Sequence, residues 1–72
     1  MMTQIIYVLK NNGVWGTATH KDKSDFSAAP DPTLKAALNK AWERSIMLAP
    51  TGVACEIHLE QPDGTFQLYV EG

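Results

Sequence analysis

Between Gln4 and Leu9 the chain reads Ile5, Ile6, Tyr7, Val8 and Leu9 without a polar interruption. Such a run of β-branched, aromatic and aliphatic residues suits an interior strand covered at least in part on both faces. Asn11-Asn12-Gly13 follows, and Asn-Gly supplies the positive-φ positions of a tight hairpin turn. A second strand is therefore expected over Val14 to His20, with Val14, Gly16, Ala18 and His20 on one face and Trp15, Thr17 and Thr19 on the other. The face of small residues leaves room for another group to lie close.

From Lys21 to Ala29 the pattern lapses into charged and small residues around Phe26, which predicts a connecting loop anchored by that ring. Asp31-Pro32 supplies a helix start, with Asp31 as the capping acceptor and Pro32 where no N–H is needed. Beyond it Leu34, Leu38, Ala41, Trp42, Ser45, Leu48 and Ala49 recur on one helical stripe, with Ile46 at its margin. Pro50 and Gly52 place the helix end near Leu48 or Ala49.

Val53, Cys55, Ile57 and Leu59 then alternate with Ala54, Glu56, His58 and Glu60, the pattern of a half-buried strand. Gln61-Pro62-Asp63-Gly64 has turn chemistry, and Thr65 to Val70 resumes as a strand with Phe66, Leu68 and Val70 inward and Tyr69 outward. The predicted fold is α+β of order ββαββ: a four-stranded antiparallel sheet with one helix packed on one face and nothing in the chain over the other. The helix stripe is expected to pack on Cys55, Ile57, Leu59, Phe66 and Leu68.

Length and composition fit this picture. Seventy-two residues with 44% hydrophobic and 19% charged positions make one small folded domain, 1–72. The net charge of −2 and a pI near 5.5 give no general attraction to phosphate backbones. Charge is split, however: residues 1–44 carry all six Lys and Arg against four acids, while Glu56, Glu60, Asp63 and Glu71 follow with no base. A lone cysteine, Cys55, forms no internal disulfide, which suits a reducing compartment. The N-terminal residues have neither the basic region nor the length of apolar run of a signal peptide, so a cytoplasmic location is expected.

No catalytic constellation emerges from the pattern. His20 and His58 lack a second ligand at metal spacing, and no cofactor motif is present. Cys55 falls on the strand face opposite Glu56 and His58, so it reads as a small hydrophobe rather than a nucleophile. His58, between Glu56 and Glu60, puts a titratable group on the outward face. Two placements of Trp15 stay open. It either faces outward, beside Glu56, His58, Tyr69 and Tyr7, or lies in the core against Trp42.

Gly13-Val14-Trp15 after the first strand, the helix opened by Asp31-Pro32-Thr33, and Glu56-Ile57-His58 leading to Asp63-Gly64-Thr65 together resemble a family of short bacterial and phage-associated proteins of unknown function. The chain departs from that pattern in lacking a basic run after the Trp and in the long loop Lys21 to Ala29. The resemblance implies the ββαββ order and a bacterial or phage setting, and it carries over no catalytic residues.

The function expected from these features is a non-enzymatic protein-interaction module, homodimeric or accessory to a larger protein. It would use an uncovered sheet face or edge strand through Trp15, Glu56, His58, Glu60, Gln67 and Tyr69. The alternative is weak nucleic-acid binding through the basic residues Lys21, Lys23, Lys35, Lys40 and Arg44. An enzyme subunit completed by oligomerisation ranks third, since a pocket of several hundred cubic ångströms is not expected of so short a chain.

Overall fold

Chain order dictates two hairpins with a helix between them, and the computed structural model, which describes residues 2–31 and 33–69, shows how they are joined. Strands β1 (Met2–Asn11) and β2 (Val14–Ala18) form the first hairpin. Its two-residue turn holds Asn12 at φ 52° and Gly13 at φ 80°, a conformation that Asn and Gly adopt at least cost. A two-residue strand β3 (Ser27–Ala28) follows, then helix α1 (Leu34–Leu48), a 3-10 turn (Ala49–Thr51), β4 (Val53–Glu60) and β5 (Phe66–Tyr69).

Among the described residues the sheet has five strands, in the order β3-β2-β1-β4-β5. It is mixed: β4 runs parallel to β1, and the other pairings are antiparallel. This corrects the expected four-stranded antiparallel arrangement. β1 and β3 both run antiparallel to β2, so β3 points the same way as β1, and the helix carries the chain from β3 back across the sheet to enter β4 in that direction. The extra strand, β3, was hidden within the predicted loop because two residues leave no periodic signal.

Thr33 caps the helix, its Oγ1 accepting from the Ala36 N–H at 3.2 Å, so the cap lies two residues beyond the expected Asp31. The expected role of Pro32, the inward placement of Val70 and the charge at Glu71 fall on positions outside the described residues. Ala37 and Ala41 are fully buried at the helix–sheet contact, with Leu34, Leu38, Trp42, Ser45 and Leu48 half-buried around them. Two alanines at the contact bring the helix axis close to Ile6, Val8 and Ile57, which with Ala29 complete the core. Ala49 and Ile46 are exposed, so the expected stripe is centred one helical position away from where the larger residues placed it.

Parity of the two turns decides which side chains face that core. The two-residue turn pairs Val8 with Thr17 and Lys10 with Trp15, which puts Trp15 on the helix side with Ile6 and Val8. Trp15 is half-buried against the core, and Val14, Gly16 and Ala18 lie on the opposite face. The second hairpin closes through three residues, Pro62 to Gly64, with Gly64 at φ 87°. Its register sets Ile57 opposite Tyr69 and His58 opposite Leu68. Tyr69 and Gln67 therefore face the helix side, and Phe66 and Leu68 face away, the reverse of the expected assignment.

The face away from the helix is not bare, as expected, but covered at one end. Loop residue Phe26 lays its ring on Gly16, and Leu9 beneath is fully buried. Asp25 holds the loop in place by accepting from the Thr19 N–H at 3.0 Å and from the Thr19 hydroxyl. Lys23, at φ 65°, donates to the Lys10 carbonyl at 2.9 Å.

Candidate protein-interaction face

β1, β4 and β5 place Tyr7, Glu56, His58, Glu60, Phe66 and Leu68 on the face opposite the helix. Tyr7 lies at the middle of this group. Its ring meets Phe66 edge-on at 5.1 Å between centroids and His58 at 5.8 Å. The Lys21 ammonium sits 5.6 Å from the Phe66 centroid and 6.0 Å from that of Tyr7, bringing the loop to the rim of the patch. Beyond that rim Leu68 is 52% exposed, although leucine is an apolar side chain on a regular strand.

The acidic residues of this face are spoken for in different ways. Glu56 Oε1 lies 3.2 Å from His58 Nε2. Glu60 turns to the strand end, where its Oε1 accepts from the Lys10 N–H at 3.0 Å and extends the β1–β4 ladder by one bond. At the adjoining hairpin Asp63 accepts from the Thr65 hydroxyl and N–H, and these bonds hold its carboxyl below the usual carboxylate range.

Of the six residues expected to form the interaction face, the structure brings together Glu56, His58 and Glu60. Trp15, Gln67 and Tyr69 are on the other side of the sheet. Phe66, Leu68 and Tyr7 take their place. The three-residue length of the second turn was the available signal for the first two, because an odd loop keeps residues of like parity on one face.

The basic residues do not form one surface. Lys21 sits over the aromatic patch, Lys23 is bound to the Lys10 carbonyl, and Lys40 crosses from the helix to β3, donating to Ser27 Oγ at 2.5 Å and to the Ala28 carbonyl at 3.1 Å. Lys35 and Arg44 are exposed on the helix, on the opposite side of the sheet from Lys21.

Among the described residues, open grooves flank the helix, and two of them bear on the site. One, of about 410 Å³, runs between α1 and β2–β3 and is lined by Thr17, Asp25, Lys40, Arg44 and Met47 among others. The second, of about 580 Å³, lies between Trp15, Leu34, Leu59 and Pro62. Both are shallow grooves open to solvent, left where the helix covers only the middle of the sheet. Among the described residues no cluster of three His, Cys, Asp or Glu is placed to hold a metal ion. Cys55 is half-buried on the helix side of β4. No helix among the described residues is long and apolar enough to cross a membrane.

The chain matches no protein-family model, and searches of curated proteins and of solved structures give no match.

Proposed function

We propose that this protein is a non-enzymatic protein-interaction module that engages a protein partner through the part of the sheet face that neither the helix nor the loop covers. The observation that carries this reading is the placement of Leu68, half exposed opposite His58 on the face that holds Tyr7 and Phe66, on a strand whose outer edge no other described strand pairs. Partly exposed aromatic and aliphatic side chains joined on a rigid strand surface gain by losing water to a partner, and aromatics in such patches supply much of an interface's energy.

The alternative reading, nucleic-acid binding, has less support. Its five basic residues are divided between the two sides of the sheet, and Lys23 and Lys40 spend donors on the chain's own carbonyls. The acidic residues Glu56 and Glu60 stand on the aromatic face, where a stacked base would bring its phosphate.

The test is a charge at Leu68. Sedimentation mass and affinity capture from a cell extract are measured for the wild type and for Leu68→Lys, with circular dichroism as the check on folding. A folded Leu68→Lys variant that loses either a mass above one chain or a captured protein supports the reading. If the two proteins behave alike in both measurements, this face is only solvated sheet. A charge at Tyr69 would not serve, because that ring packs against the core.

A further inference from the structure

The partner of this face is set by hydrogen bonding along β5, and the inference rests on the interaction reading above. Gln61 N–H donates to the Thr65 carbonyl at 2.7 Å, which closes the β4–β5 ladder at the turn. In an antiparallel ladder, pairs that exchange hydrogen bonds alternate with pairs that do not. Counting on from Gln61 and Thr65, the pairs Leu59 with Gln67 and Ile57 with Tyr69 are the bonded ones. Glu60 with Phe66 and His58 with Leu68 are not. Phe66 and Leu68 therefore aim their backbone N–H and C=O groups away from β4, at an edge that no other described strand pairs.

The two sheet edges differ in how they are protected. At the β3 edge Lys40 blocks the backbone, its ammonium occupying the Ala28 carbonyl, and the strand is only two residues long. Short edges and edge lysines are the common protections against strand addition. β5 is twice as long, at four residues, and Thr65, Phe66, Gln67, Leu68 and Tyr69 contain no charge and no proline.

We infer that β5 pairs with β5 of a second copy of this chain, antiparallel about a two-fold axis at Gln67, joining two sheets into one. In that register Phe66 of each copy exchanges hydrogen bonds with Leu68 of the other, about four bonds in all, and satisfies the outward groups. Both side chains sit on the aromatic face, so Leu68 covers the partner's Phe66 and loses its exposure. The occupant is a second copy because an uncharged strand opposes no like charges to itself, and because the outward groups at 66 and 68 are self-complementary under this axis. The contact is small, so association belongs to the micromolar range.

Cysteine cross-linking tests the register. At the axis the two Gln67 residues form a non-bonded pair with Cα atoms about 4.5 Å apart, inside the range that a disulfide spans. The probe is Gln67→Cys in a Cys55→Ala background, at about 100 µM protein to match the micromolar range, with copper-phenanthroline as oxidant. Thr65→Cys in the same background is the control, since residue 65 lies opposite residue 69 of the other copy. Gln67→Cys should yield mostly covalent dimer and Thr65→Cys little. Leu68→Pro removes one outward N–H per copy and should weaken wild-type self-association about tenfold or more, taking roughly 1.4 kcal/mol per decade. Leu68→Lys serves if the proline variant does not fold.

A strictly monomeric wild type at this concentration overturns the inference, and the interaction reading then stands or falls on the capture experiment. A dimer that Leu68→Lys disrupts, but in which Gln67→Cys does not cross-link, overturns the edge pairing and leaves the face as the contact. Equal cross-linking at 65 and 67 also overturns it, because no single antiparallel register permits both.

Discussion

The ring of Phe26 rests on Gly16 so closely that a Cβ at Gly16 would lie 2.7 Å from Phe26 Cζ, and it would also press on the Ser27 carbonyl. The absence of a side chain is what lets the loop lie flat on the sheet and bury Leu9. Gly16→Ala is expected to destabilise the protein by about 1–3 kcal/mol, the usual cost of overpacking, since backbone as well as ring must move. Chemical denaturation would show it. An unchanged midpoint would mean the loop does not pack there.

Removing the ring tests the same contact from the other side. Phe26→Ala is expected to cost about 1–3 kcal/mol, below the range for a fully buried phenylalanine because this one is half-buried. Faster amide exchange at Leu9 should accompany the loss.

Asp25 gives the loop a pH dependence. The Thr19 hydroxyl and then the Thr19 N–H, both donating to it, hold its carboxyl below the usual carboxylate value. A depressed folded-state pKa contributes stability that is fully present above the unfolded value near 3.8 and is lost as the pH falls through the folded one. The loop should therefore loosen only below about pH 4, seen as broadening of Phe26 ring resonances on acid titration. Asp25→Asn should move that loosening to neutral pH. A loop equally ordered in the variant at pH 7 would count against the assignment.

The core predicts a contrast between two isoleucines. Ile57 is 3% exposed at the centre of the sheet, and Ile57→Ala should cost about 2–5 kcal/mol. Ile46 is 67% exposed on the helix, and Ile46→Ala should change stability by no more than about 0.5 kcal/mol. Similar losses at both positions in urea denaturation would contradict the orientation of the helix.

Lys40 ties the helix to the sheet edge. Lys40→Met keeps most of its length and removes both hydrogen bonds, so about 1–2 kcal/mol of stability should be lost. Amide exchange should rise at Ala28 and Ala29 before it rises at Ile57. Uniform exchange across all three would show that the lysine does not hold β3.

Much of this fold was legible in the chain because its signals are local. Asn12-Gly13 fixes a two-residue turn through backbone conformation alone. The alternation from Val53 to Glu60 marks β4 at the bounds the structure gives, and Pro50 with Gly52 closes the helix. What the tertiary structure alone decided lies between these elements. Pairing β4 parallel to β1 depends on the helix crossing the sheet, a relation between residues some fifty positions apart that no local pattern encodes. The side that β5 presents is not of this kind: it carries apolar residues on both faces, Phe66 and Leu68 on one and Tyr69 on the other, and the local three-residue turn at Pro62 to Gly64 fixes which face is which. Phe26 was recognisable as an anchor, but which surface it would cover depended on Gly16 and Leu9 coming together across two strands. Turns, periods and the faces of hairpin strands are settled by neighbours in sequence; strand partners and the site they form are settled by packing, where distant residues compete for the same space.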